Sequence, residues 1–137
     1  MGLKDLFAKK KDAPPAAAGE VIAETTHAAV VDHQGVAVAT ILCERYSEHE
    51  AKPIEHDLLS AAQRCANRLV IDMSKVAMLA SAGIGSLISL HQACVKAGGK
   101  MAICGLDDNI AKMLSLTRMD KMLTIVDSPE AAARAVR

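Results

Sequence analysis

The residues most able to do chemistry lie in Met78-Leu79-Ala80-Ser81-Ala82-Gly83-Ile84-Gly85-Ser86. The segment closes an apolar region and opens a stretch of helical periodicity, with four small residues in succession from Ala80. It places the Ser81 hydroxyl at or beside a helix N-terminus, where unpaired N–H groups and the positive end of the dipole accommodate an anion. A phosphate on Ser81 would bring about −1.5 to −2 charges into that field. The competing reading is that Ser81 caps the helix and the glycines let it pack tightly against an alanine-rich sheet. A nucleotide loop is excluded: there is no Gly-x-x-x-x-Gly-Lys, and Gly83-Ile84-Gly85 lacks the third glycine of a dinucleotide fingerprint.

Other reactive types are less well placed. His91 and Cys94 lie one helical turn apart, but no further pair at zinc spacing accompanies them, so no metal site is expected. Glu48-His49-Glu50 with Glu55, His56 and Asp57 reads as a charged loop entering an amphipathic helix. Cys104 sits in the apolar run Met101-Ala102-Ile103, with no sequence neighbour to lower its pKa. Lys112, Arg118 and Lys121 read as surface charge, the first two also as cations able to meet a phosphorylated partner. No enzyme, cofactor or metal follows from these groups.

The elements that would position Ser81 alternate. Val21–Thr25 and His27–Asp32 read as short strands, with Asp32-His33-Gln34-Gly35 as a turn and Val36–Leu42 as the next strand. Apolar spacing predicts a helix over Ile54–Ala66, with Pro53 in its first turn. Leu69-Val70-Ile71 is a continuous apolar run suited to a strand buried on both faces. A second helix spans Ser81–Ala97 and stops at Gly98-Gly99. Met101–Gly105 is a strand, and Asp107-Asp108-Asn109 caps a helix reaching about Leu116. Lys121–Val126 reads as the last strand, and Asp127-Ser128-Pro129-Glu130 opens the last helix. The alternation predicts an α/β domain with a mixed, mostly parallel sheet and an antiparallel hairpin at its N-terminal edge.

Composition narrows the function. The 137 residues include 25 alanines but only two aromatic residues, Phe7 and Tyr46. Base-stacking platforms need several aromatic faces, and 16 basic residues against 16 acidic ones supply no basic excess, so no nucleic-acid binding is expected. Four cysteines without a Cys-x-x-Cys pair, behind a charged N-terminus, suit reduced thiols in the cytoplasm. The longest stretch without a charged residue or histidine, Val76–Leu90, is shorter than the about twenty strongly apolar residues of a membrane span. Residues 1–19 read as a flexible basic tail and Pro/Ala linker, and residues 20–137 as the domain. In the tail, Leu3, Leu6 and Phe7 precede Lys9-Lys10-Lys11, which suits either a solubilising segment or a weak contact of residues 1–12 with an anionic membrane surface.

From Leu69 onward the chain resembles STAS domains, the family of bacterial anti-sigma factor antagonists and sulfate-transporter tails. The words that carry this are Leu69-Val70-Ile71-Asp72-Met73-Ser74-Lys75-Val76, Leu79-Ala80-Ser81-Ala82-Gly83-Ile84-Gly85-Ser86-Leu87 and Ala97-Gly98-Gly99-Lys100. Leu114-Ser115-Leu116-Thr117-Arg118-Met119-Asp120-Lys121-Met122 then leads to Ile125-Val126-Asp127-Ser128. The likeness is close over Leu69–Ala131 and looser over Val21–Ala66. It implies a four-helix, mixed-sheet α/β fold and reversible protein–protein binding in signal transduction, governed in many members by a partner kinase.

The family's helix-opening motif reads Asp-Ser-Ser/Thr-Gly, with the first hydroxyl phosphorylated. The resemblance therefore implies Ser81 as phosphoacceptor and Gly83 as the motif glycine. Ala80 stands in place of the Asp and Ala82 in place of the second hydroxyl. Glu44-Arg45-Tyr46-Ser47 stands where many members carry Gly-x-Leu-Asp. The implied contact patch comprises Tyr46, Ser47, Ala80, Ser81, Ala82, Gly83, Ile84 and Gly85. The implied role is a non-catalytic, cytoplasmic module binding an anti-sigma factor or serine kinase. The alternative is an unswitched accessory subunit of a membrane transporter or larger signalling assembly, with the tail at the inner membrane face. The oligomeric state stays open.

Overall fold

Leu69, Val70 and Ile71 bury side chains alternately on two faces, and the rest of the domain supplies a cover for each. A computed structural model describes residues 20–136, so the expected tail and linker lie outside the described residues. In chain order the strands are β1 (Glu20–Glu24), β2 (Ala28–His33), β3 (Val36–Ile41), β4 (Arg45–Tyr46), β5 (Arg68–Asp72), β6 (Met78–Leu79), β7 (Lys100–Cys104) and β8 (Thr124–Ile125). The helices are α1 (Glu48–Gln63), α2 (Ser81–Lys96), α3 (Asp108–Leu116) and α4 (Pro129–Val136). The main sheet runs β1-β2-β3-β5-β7-β8, antiparallel across its first three strands and parallel across the rest. This is the expected α/β fold.

The helices divide between the two faces. Ile54 and Leu58 of α1, Leu87 and Leu90 of α2, and Ile110 and Leu114 of α3 join Leu69 and Ile71 in the larger core. Ala132, Ala133 and Val136 of α4 close the other face over Val38, Val70 and Ala102. Small alanines at the sheet positions Ala37, Ala39 and Ala102 bring the helices close without large aromatic filling.

Local chemistry sets the ends of the elements. At the β2–β3 hairpin Gln34 and Gly35 both take positive φ (54° and 84°), the geometry of a two-residue primed turn. Asp32 Oδ1 accepts the Gly35 N–H at 2.9 Å and holds it. Asp107 caps α3 by accepting the Asn109 N–H at 2.7 Å. Gly99 is fixed by proximity, since a Cβ there would collide with the Asn67 carbonyl.

Three expectations are revised. Helix α1 starts at Glu48, not near Ile54, because Ser47 and Glu50 cap it. Glu50 Oε1 accepts the Ser47 N–H at 3.0 Å and the Ser47 hydroxyl at 2.7 Å. These bonds hold the Glu50 carboxyl below its usual pKa. Pro53 therefore sits inside the helix on its exposed side, where its missing N–H disturbs no packed face. The last strand contracts to Thr124–Ile125, since Met119–Lys121 forms a turn of 3-10 helix. The two-residue strands β4 and β6 were not anticipated. They pair in parallel, Arg45 with Met78 and Tyr46 with Leu79, as a separate ribbon.

Between α1 and β5, Ala66 and Asn67 take positive φ in succession (55° and 60°). Asn tolerates that region, but alanine does not favour it. Ala66→Gly is expected to stabilise the domain by roughly 0.5–1 kcal/mol after the glycine's extra chain entropy. Urea unfolding checks this, and a midpoint below wild type would contradict it.

Candidate functional site

Ser81 is held in place by what lies beneath it. The Ala80 N–H donates to the Tyr46 carbonyl at 3.0 Å, so the end of β6 is tied to β4 just before α2 begins. The Tyr46 side chain then turns inward and is 0% exposed. Its hydroxyl lies 2.9 Å from Ser86 Oγ, and Ser86 Oγ donates to the Ala51 carbonyl at 3.2 Å. Since the serine proton is committed to Ala51, Tyr46 is the donor of the first bond. One chain of hydrogen bonds thus joins β4, α2 and α1. Burial pushes the Tyr46 pKa up to about 12.

Gly83 completes the clamp. A Cβ there would lie 2.5 Å from the Tyr46 carbonyl oxygen and 2.7 Å from Leu79 Cδ1, so only glycine allows this approach. Gly85, two residues on, has nothing within 4 Å of an added Cβ. The two glycines of one motif therefore do different jobs.

Above this platform, Ser81 is the first residue of α2 and is exposed. The residue in the capping position is Ala80, extended at φ −88° and ψ 170°, with no side chain able to accept a hydrogen bond. The reading of Ser81 as the helix cap is therefore corrected. Among the described residues, the first amide to find a helical partner is that of Ile84, bonded to Ala80 at 3.0 Å. The amides of Ser81, Ala82 and Gly83 are left for solvent or an incoming group. No acidic residue occupies the first turn of α2.

The sequence-derived patch separates into a rim and a foundation. Ser81, Ala82 and Gly85 are exposed together, with Ile84 half-buried against the core. Gly83 and Tyr46 lie underneath. The expectation of Tyr46 as a contact residue is thus revised, since its side chain supports the rim instead of reaching solvent. Ser47 is half-buried and its hydroxyl is engaged with Glu50. Three residues named in the sequence take roles in the site that reading it did not assign. Ser86 is the buried link to Tyr46, signalled by a hydroxyl on the apolar face that carries Leu87 and Leu90. Met78 adds a large apolar side chain to the rim, 51% exposed. Glu48 faces Ala82 and Ser89 across a shallow groove between α1 and α2.

The remaining candidates are in the core. Cys94 and Cys104 are wholly buried, and burial pushes their thiols up to about 11 and about 12, against nucleophilic use. Asp72 and Glu130 add to the effect on Cys104.

The STAS domain family model matches residues 27–132, and the chain belongs to that family. Its fold is shared with an anti-sigma factor antagonist (STAS) domain protein from Planctomyces limnophilus, at 22% identity and TM-score 0.70 over 82% of this chain and 98% of that one. An anti-sigma factor antagonist from Mycobacterium paratuberculosis also gives 22% identity and TM-score 0.70, over 91% and 98%. A murine solute carrier 26 family member A9 anion transporter matches at 16% identity and TM-score 0.62, over 74% of this chain but 17% of the transporter.

Two predictions follow from the clamp. Gly83→Ala should cost about 1–3 kcal/mol by overpacking against the Tyr46 carbonyl. Gly85→Ala should stabilise by up to about 1 kcal/mol through helix propensity. Thermal melts of the two variants should move in opposite directions, and a shared direction would refute the assignment. Second, Tyr46 titrates near pH 12 when folded and near pH 10 when unfolded. The folded state thus holds this proton more tightly. The stability it contributes is complete below about pH 10 and is lost as pH rises towards 12. Since Tyr46 is the chain's single tyrosine and there is no tryptophan, tyrosinate absorbance reports it alone. A midpoint near 10 in the folded protein would contradict the burial of Tyr46.

Proposed function

We propose that this protein binds a partner protein reversibly through the start of α2, and that phosphorylation of Ser81 weakens the complex. The observation that carries this reading is an exposed hydroxyl on an uncapped first helical turn, held rigidly by the Tyr46–Ser86–Ala51 chain. The partner fitting the family's antagonists is an anti-sigma factor with serine kinase activity. A dianion at Ser81 would be held by the free amides, so the fold survives while the rim gains a concentrated negative charge. Met78, Ala82 and Gly85 make the unmodified rim apolar, a surface on which a desolvated charge is costly. The module works by binding and not by catalysis, in the cytoplasm.

A second reading is favoured by Ala80 and Ala82, which leave the rim without the family's acidic and second hydroxyl groups. In it the domain is an unswitched accessory of a transporter or larger assembly.

The test uses full-length wild type, Ser81→Ala and Ser81→Glu as baits in host lysate, with quantitative mass spectrometry of partners and of Ser81 itself. A partner kept by wild type and Ser81→Ala but reduced at least about tenfold with Ser81→Glu supports the switch. Equal capture by all three, with Ser81 unmodified, overturns it in favour of the unswitched accessory.

A further inference from the structure

We propose that the end of the domain opposite Ser81 docks on an anionic phospholipid surface. Each described helix runs back against the parallel strands, so the starts of β5, β7 and β8 and the ends of α1, α2 and α3 meet at one pole. The Lys100 N–H donating to Asn67 at 3.1 Å ties two of these junctions together.

Cations gather there although the chain's net charge is zero. Arg64 follows α1, Arg68 opens β5, Lys96 ends α2, Lys100 opens β7, and Arg118 and Lys121 lie between α3 and β8. All six are exposed, and among the described residues none forms an ion pair. The acids with described side chains at this pole are Asp120 and Asp32, and Asp32 is engaged by the Gly35 amide. The Ser81 pole is opposite in character, with Glu44, Glu48, Asp107, Asp108 and Asp127 exposed against the cations Arg45 and Lys52.

Helix dipoles account for part of this, since they favour acids at helix starts and a cation such as Lys96 at an end. They do not account for Arg68 and Lys100, which begin adjacent parallel strands in direct register. Like charges placed side by side on neighbouring strands are destabilising. Arg118 lies just past α3, where the dipole favours a cation, but its φ of 61° is one at which glycine is the easier residue. At Arg68 and Lys100 the cations are kept side by side against local stability.

Large apolar side chains accompany the charge. Val95, Leu116 and Met122 are 52%, 76% and 45% exposed, and all three lie at this pole. Cations spread over the ends of several elements suit an extended anionic surface better than a single carboxylate. The exposed apolar groups suit the acyl boundary of a bilayer better than a nucleic-acid backbone. Docked this way, the Ser81 rim faces away from the membrane and stays open. The inference is independent of whether Ser81 is modified.

The test is cosedimentation of the full chain with vesicles of phosphatidylcholine alone and with about one third phosphatidylglycerol. Wild type should pellet with the anionic vesicles and not with the neutral ones. Removing one cation should lower partitioning about fivefold, so Arg68→Gln/Lys100→Gln/Lys121→Gln should lose about a hundredfold. Arg118→Gly guards against misfolding, since it removes a cation while relaxing the backbone. It should lose about fivefold with no fall in thermal midpoint. Leu116→Ser/Met122→Ser should also weaken binding. Wild-type partitioning by the folded pole variants overturns the proposal, as does a loss confined to Lys9→Ala/Lys10→Ala/Lys11→Ala. Retention on polyglutamate or duplex DNA without vesicle binding overturns it too, pointing to an acidic protein or a nucleic acid.

Discussion

Helix α2 approaches β4 so closely that residue 83 has no room for a side chain, and the rest of the site is arranged around that contact. The Tyr46 carbonyl fills the space a Cβ would take, and also accepts the Ala80 amide. The backbone of one short strand thus sets both the height and the direction of the helix start. The phenol of the same residue then reaches Ser86 and, through it, α1. A domain almost without aromatic side chains has spent its single tyrosine on this junction. The position of the Ser81 rim is thus set from below the surface, by backbone and buried hydroxyls.

The elements with strong local signals were legible in the sequence. The apolar run at Leu69–Ile71 and the Gly98-Gly99 stop were plain, as were Asp107 as a cap and the turn at Gly35, because each has a short-range cause. The start of α1 was misplaced because Pro53 is a louder signal than the Ser47–Glu50 cap six residues before it. Strands β4 and β6 were missed because two residues carry no period, and their pairing spans more than thirty positions of sequence. The site was half legible. Residue type and spacing singled out Ser81, while the burial of Tyr46 depends on a serine forty residues away.

Charge placement was the least legible property. Equal numbers of acids and bases read as a neutral surface, and along the chain the signs alternate without obvious order. Folding sorts them, because the starts of the parallel strands and the helix ends share one pole and the helix starts the other. A balanced sequence can therefore build a polarised molecule. Family membership fixes the fold, whereas this polarity is read from the chain's own residues.

The two sheet faces are covered unequally. Three described helices close one face, and the other depends on α4, which follows every described strand. Without α4, Val31, Val38, Val70 and Ala102 would lie open together as one apolar sheet face. A single eight-residue helix thus separates a closed core from an exposed, aggregation-prone sheet.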